Sequence, residues 1–321
     1  MKRQRWQELP QIRALAWVLP CIAFWSLIPR LASNPGNLDA FAFLFWSSAV
    51  SSACLLACTR VTGHWRELRA YSMTDIRRIS ALATLGAFLY YALLYSAYAP
   101  CAGVGCEEKA AIVVITQYTW PALTVLWSAA LLRERLTCRV GMSLLLGVVA
   151  VAIGASGASV DGAALAKLPV VVLAAVVFGL YSTLLKRIAY EPYSSMAIGF
   201  AVATFLALLA VAQFTPPGRF LPDQIGTWSV FVNGVFVNGL SYVCWYRALR
   251  AAPVGFVAPW VALTPLLAAV FADESILFHA HHWVGIALVL LSALLATIAH
   301  DAPERPPLPP PRQYHLAEES R

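Results

Sequence analysis

A chain of 321 residues with 60% hydrophobic side chains, only 12% charged ones and a mean hydropathy of +0.69 has too little polar surface to face water as a soluble domain. Its net charge of +7 would suit a nucleic-acid partner if the basic residues converged on one soluble face, but they are scattered over the ends of apolar stretches, which excludes that class. Lipid is the expected solvent for most of the chain.

Ten stretches without Asp, Glu, Lys or Arg follow in chain order, at residues 14–29, 40–59, 79–106, 110–132, 140–160, 168–185, 192–218, 224–246, 251–272 and 275–300. About 20 helical residues cross the hydrocarbon, where every backbone polar group needs an internal partner, so the pattern predicts an all-α membrane protein with ten transmembrane helices. The start, Met1-Lys2-Arg3-Gln4-Arg5 before an apolar run, has the form of an export signal with a site near Leu31-Ala32-Ser33. Its removal would spoil the charge alternation that follows, so an uncleaved first helix is expected, with Arg30 snorkelling at its outer edge. With the N-terminus in the cytoplasm, 19 of the 23 Lys and Arg residues fall on that side, and only Arg30, Lys109, Lys167 and Arg219 on the other. That bias follows the positive-inside rule and predicts both termini inside.

The third and fourth stretches hold the first group of large rings and amides: Tyr90, Tyr91 and Tyr95, then Gln117-Tyr118-Thr119-Trp120-Pro121. The eighth holds Asn233, Asn238, Tyr242, Trp245 and Tyr246, and no stretch has a central carboxylate or amine. An amide against lipid is costly, so Gln117, Asn233 and Asn238 are expected to point inward, either tying helices together or lining a solute path. The rings have the same two readings, packing or path. Tyr90 and Tyr91 point to different helix faces, so at most one is expected to face the path. The candidate path comprises Trp25, Tyr90, Tyr91, Tyr95, Gln117, Tyr118, Trp120, Asn238, Tyr242, Trp245 and Trp260. Pro20, Pro121, Pro259 and Pro265 are candidate bends, each removing a backbone donor and freeing the carbonyl one turn earlier.

Cys21, Cys54, Cys58, Cys138 and Cys244 read as small packing residues, while Cys101 and Cys106 are a candidate disulfide at an outer helix end. His279, His281 and His282 near Asp273 and Glu274 read as a wet helix mouth rather than a metal site. Pro306-Pro307-Leu308-Pro309-Pro310-Pro311-Arg312 reads as an extended tail. No cofactor, metal or catalytic function is expected; the expected partners are a small solute and membrane lipid, not nucleic acid, with the monomer as the working unit.

Two segments echo each other. Trp120-Pro121-Ala122-Leu123-Thr124-Val125-Leu126 repeats in Trp260-Val261-Ala262-Leu263-Thr264-Pro265-Leu266, and Tyr91-Ala92-Leu93-Leu94-Tyr95 more weakly in Tyr242-Val243-Cys244-Trp245-Tyr246. A repeated unit with an odd number of helices must insert its second copy upside down, so two inverted five-helix repeats around a central cavity are expected, as in secondary transporters. The expected organisation is a cytoplasmic N-terminus at 1–13, repeats at 14–160 and 161–300, and a Pro-rich cytoplasmic tail at 301–321.

The segment Gln117-Tyr118-Thr119-Trp120-Pro121-Ala122-Leu123-Thr124 and the run from Phe256 to Pro265 resemble the EamA-type branch of the drug/metabolite transporter superfamily, above all its bacterial aromatic amino-acid exporters. The resemblance spans residues 12 to 300. It implies a multi-pass protein of the bacterial inner membrane that exports amino acids or related metabolites by alternating access. A carrier of another metabolite or a drug-like cation, and a scaffold that transports nothing, are the alternatives.

Overall fold

The computed structural model describes residues 10–98, 116–134, 136–154 and 162–272, together with residue 113 and single positions between 284 and 295. Every regular element among them is helical. The Cys101–Cys106 pair, the histidines at 279, 281 and 282, Asp273, Glu274 and the Pro-rich tail lie outside the described residues.

The expectation of ten spans is corrected. Among the described residues five helices are long and apolar enough to cross a membrane: Pro10–Ser33, Ala40–Val61, Met73–Tyr98, Ala166–Lys186 and Pro192–Phe214. Absence of charge marks where a chain could cross, but it does not keep the α-helical ladder unbroken. The 110–132 stretch turns at Tyr118 and Thr119 before a 13-residue helix, Trp120–Leu132, and Cys138–Gly154 has 17 residues. The 224–246 stretch is α-helical over Gln224–Val232, π-helical over Asn233–Leu240 and α-helical again over Ser241–Ala251. After an extended break at Ala252, the chain passes through Val254–Val257, a 3-10 turn at Ala258–Ala262 that contains Pro259, and Leu263–Ala272. Proline lacks the donor that an α-helical turn would need there.

Acidic side chains near the helix starts serve as caps, holding backbone N–H groups that have no partner in the first turn. Asp39 accepts from Ala42 N at 2.7 Å ahead of Ala40–Val61, and Glu191 accepts from Tyr193 N and Ser194 N ahead of Pro192–Phe214. Ser72 and Asp75 form a reciprocal capping box, and Asp223 accepts from Gly226 N at 2.7 Å. The same succession of devices thus recurs about 150 residues along the chain. The π segments join it: Thr84–Leu89 precedes Tyr90–Tyr98 as Asn233–Leu240 precedes Ser241–Ala251.

The connections gather at two ends. At one, Asn37 Nδ2 donates to Leu221 O, Trp46 Nε1 to Phe220 O and Ser229 Oγ to Asn34 O. At the other, Tyr190 OH donates to Asp75, Tyr71 OH pairs with Ser194 Oγ, and Lys186 Nζ reaches Glu134 Oε1 at 2.8 Å. The Ala40–Val61 helix runs from the first end to the second. Its 22 residues separate them by about 33 Å at 1.5 Å per residue.

Packing along the axis depends on two glycines in the π segments. A Cβ on Gly86 would stand 2.3 Å from the Tyr181 ring, and one on Gly234 would stand 2.6 Å from Val50 Cβ and 2.8 Å from Ser47 O. Each glycine carbonyl also receives a hydroxyl, Gly86 O from Tyr242 and Gly234 O from Ser51, both at 2.7 Å. A π turn shifts the backbone bonding from i→i+4 to i→i+5, and these hydroxyls fasten its carbonyls to neighbouring helices. The expected central cavity is corrected too. The described centre of the bundle is filled by one continuous core that includes Trp25, Tyr91, Tyr95, Trp120, Tyr242 and Trp245, each at most 3% exposed.

Candidate functional site

The rings of that core form a cluster around Phe178. Its centroid lies 4.3 Å from Tyr90, 4.7 Å from Trp120, 5.6 Å from both Trp25 and Tyr181, and 6.1 Å from Tyr242. Trp245 packs edge-on against Trp120 at 5.3 Å, and Tyr91 bridges Tyr90, Tyr95 and Tyr242. Most of these contacts are tilted or edge-to-face, the arrangements favoured by ring quadrupoles. Tyr90 and Tyr91 both join the cluster, since protein surrounds the Tyr90–Tyr98 helix at this level. Phe178 and Tyr181 were not anticipated: the 168–185 stretch carries no amide and no segment echoed elsewhere that marks those rings off from packing residues.

Two amide groups flank the rings. Gln117 is closed on both sides, its Nε2 donating to Tyr90 OH at 2.9 Å and its Oε1 accepting from Tyr98 OH at 3.2 Å. Tyr95 OH stands between the other two amides, accepting from Asn233 Nδ2 at 2.8 Å and donating to Asn238 Oδ1 at 3.4 Å. Asn233 and Asn238 are both 0% exposed, yet Asn233 Oδ1 and Asn238 Nδ2 have no hydrogen-bond partner among the described residues. The indole N–H groups of Trp25 and Trp260 are in the same condition, while Trp245 Nε1 donates to Ser182 Oγ at 3.1 Å. No Asp, Glu, Lys or Arg stands among the described residues buried at this level.

Of the remaining expected rings, Tyr118 belongs to the same core and Trp260 packs against it. Tyr118 lines a shallow half-open cleft with Pro121, Pro259 and Ser143, and Trp260 is half-buried on the 3-10 turn. A second shallow half-open cleft is lined by Tyr181, Met196, Phe200 and Tyr242. Pro20 lies inside Pro10–Trp25, whereas Pro121 occupies the first turn of Trp120–Leu132, where its missing N–H costs no helical bond. Pro265 follows the 3-10 turn, so the break lies just before it rather than at it.

Arginines fasten both ends of the bundle. Arg30 Nη1 donates to Phe271 O at 2.8 Å at the Asn34 end, and Arg187 Nη2 donates to Leu131 O at the Lys186 end. The second end carries more besides: Lys186 Nζ also reaches Ala252 O at 3.0 Å, and Glu134 Oε2 accepts from Val254 N at 3.2 Å. Arg247 lies over the rings of Trp17 and Tyr193, 4.5 and 5.0 Å from their centroids. Burial at this end pushes the Tyr71 phenol well above its ordinary range, against the opposing pull of its bond with Ser194, and it raises Tyr190 as well.

Comparison with known proteins gives two findings. The sequence profile of the EamA-like transporter family matches residues 12–155 and again 166–298, so two successive segments of the chain each match it. A crystal structure whose description names no activity is similar to this chain with a TM-score of 0.73 at 20% identity, over 89% of this chain and 98% of that one. At that identity the likeness speaks for the fold alone. No curated protein matches the chain.

Proposed function

Since this chain belongs to the EamA-like transporter family, we propose that it is a secondary carrier exporting small metabolites, foremost amino acids with aromatic side chains, by alternating access in a bacterial inner membrane. The family consists of transporters, not enzymes. The observation that carries the reading is the ring cluster itself. Trp25, Tyr90, Tyr91 and Trp120 come from the first matched segment, and Phe178, Tyr181, Tyr242 and Trp245 from the second. Two segments that meet through rings at the bundle's centre can part around a ring-bearing solute and replace ring–ring contacts with ring–solute contacts of similar strength, about 0.5–1.5 kcal/mol each beyond area burial.

The end contacts suit such a cycle. Arg30 to Phe271 O and Arg187 to Leu131 O each join one matched segment to the other, at opposite ends. Opening toward one side requires one of them to break while the other holds. The excess of Lys and Arg at the Lys186 end supports that end facing the cytoplasm, with both termini inside. Residues 14–160 and 161–300 then work as two structural repeats of one bundle.

The test is transport by the full chain in liposomes of known orientation, with Phe, Trp, Tyr, Thr and Met offered singly, with and without a proton gradient. Ring-bearing solutes are expected to move faster than Thr and Met. Equal, protein-independent flux of all five would refute the reading and leave a scaffold.

A further inference from the structure

The eighth apolar stretch does something that an α-helix cannot. At 3.6 residues per turn, side chains five apart point about 140° away from each other. The i→i+5 bonding over Asn233–Leu240 widens the turn and returns Asn233 and Asn238 toward one face, where both amides meet the single hydroxyl of Tyr95. One atom of each amide is thereby engaged. The others, the oxygen of Asn233 and the nitrogen of Asn238, stay buried without a partner among the described residues, as does the hydroxyl of Ser47, whose backbone oxygen would stand 2.8 Å from a Cβ on Gly234. Leaving such groups unpaired is unfavourable, so a partner supplied from outside is held strongly.

We infer that Asn233, Tyr95 and Asn238 form a polar subsite for a net-neutral solute that presents one donor and one acceptor, with Asn233 Oδ1 taking the donor and Asn238 Nδ2 serving the acceptor. This rests on the reading of the ring cluster as the solute site, since Tyr95 belongs to both, with Phe43 and Tyr91 against its ring at 5.0 Å. Two chemistries share the pattern: the ammonium and carboxylate of an α-amino acid, and the N–H and C=O of an uncharged carboxamide. Neutral amides balance a solute without net charge, whereas a lone ammonium or a lone carboxylate would be desolvated with only half its complement. A buried site with hydrogen-bonding groups rejects analogues that leave those groups unpaired far more strongly than an apolar pocket rejects a missing methylene.

The experiment measures flux in proteoliposomes, and the rise in unfolding temperature of the purified chain, for L-phenylalanine, phenethylamine, hydrocinnamate and hydrocinnamamide. The wild type is expected to prefer phenylalanine or hydrocinnamamide over both single-ended analogues by about tenfold or more; which of the two leads identifies the source of the pair. Asn233→Leu should erase the preference over hydrocinnamate, Asn238→Leu the preference over phenethylamine, and Tyr95→Phe, which keeps the ring but frees both amides, should weaken both. A matched set built on leucine separates the two readings. If the leucine set shows the same pattern while no ring-bearing solute moves, the subsite stands and the aromatic preference falls. If phenylalanine moves but the single-ended analogues move as well, or if Asn233→Leu and Asn238→Leu fold and discriminate like the wild type, the subsite falls and the aromatic reading stands. No flux and no stabilisation with either set overturns both.

Discussion

The amide of Gln117 and the amides of Asn233 and Asn238 lie in the same buried layer, and they differ in how far their hydrogen bonds close. Gln117 has both ends engaged by tyrosines of the Tyr90–Tyr98 helix, so it joins that helix to the turn before Trp120–Leu132. The two asparagines share one tyrosine hydroxyl and leave an oxygen and a nitrogen over. A closed amide stabilises one arrangement of helices. An open pair destabilises the arrangement that buries it, and so favours states in which something else enters. Of the two, Gln117 has the geometry of a fastening and the asparagine pair that of a binding group.

The largest change comes from moving the segment that positions the asparagines. Gly234→Ala would drive a methyl against Val50 and the carbonyl of Ser47, with backbone on one side and no flexible side-chain end to yield. A loss of about 3 kcal/mol is expected, read as a lower unfolding temperature of the purified chain in detergent. Gly141→Ala is the control: a Cβ there meets nothing within 4 Å, and alanine favours the helix by about 0.5–1 kcal/mol. Equal losses in the two would mean that the close approach at Gly234 does not hold the π turn in place.

Next comes the direct contrast between the amides. Gln117→Leu leaves Tyr90 OH without its donor and should cost about 1–3 kcal/mol. Asn238→Leu gives up a long bond of 3.4 Å and at the same time removes a buried nitrogen that has no partner among the described residues. Its net cost should be about 1 kcal/mol or less. The pair of unfolding curves decides: a reversal of that order would make the asparagines the fastening and return Gln117 to the path.

The same layer marks where the sequence was legible. Charge-free length and composition revealed a helical membrane bundle, and the family signal around Gln117–Thr124 and Phe256–Pro265 agrees with the profile matched at 12–155 and 166–298. Seven of the eleven candidate path residues (Trp25, Tyr90, Tyr91, Tyr95, Trp120, Tyr242 and Trp245) meet in one ring cluster. Length without charge did not foretell where the ladder changes type. No composition marks Asn233–Leu240 as a π turn, and the close approach of Gly234 to the Ala40–Val61 helix is a tertiary contact that a local reading of the residues does not contain. Ten spans were therefore read where five described helices are long enough, and Asn238 was placed on the candidate path without Asn233, although both bond to the Tyr95 hydroxyl. Phe178 was invisible for a related reason: its role is its position between rings from both segments, which one apolar helix read alone does not reveal.

The smallest effect lies at the Lys186 end, where the polar groups are partly wet. Lys186 and Glu134 have side chains 15% and 23% exposed, and Glu134 also receives Val254 N, so the carboxylate closes a triangle among three chain segments. Glu134→Gln keeps an acceptor for Val254 N but removes the charge that faces Lys186. Because solvent already screens this pair, the expected loss is about 1 kcal/mol or less, and it should shrink further at high salt. Against the buried amides, that salt dependence is the distinguishing sign: the costs of Gln117→Leu and Asn238→Leu should not change between low and high salt, since neutral groups in a dry layer have no ionic field to screen. A Gln117→Leu cost that fell with salt would mean that this layer is open to water and that the rings above it do not seal the core.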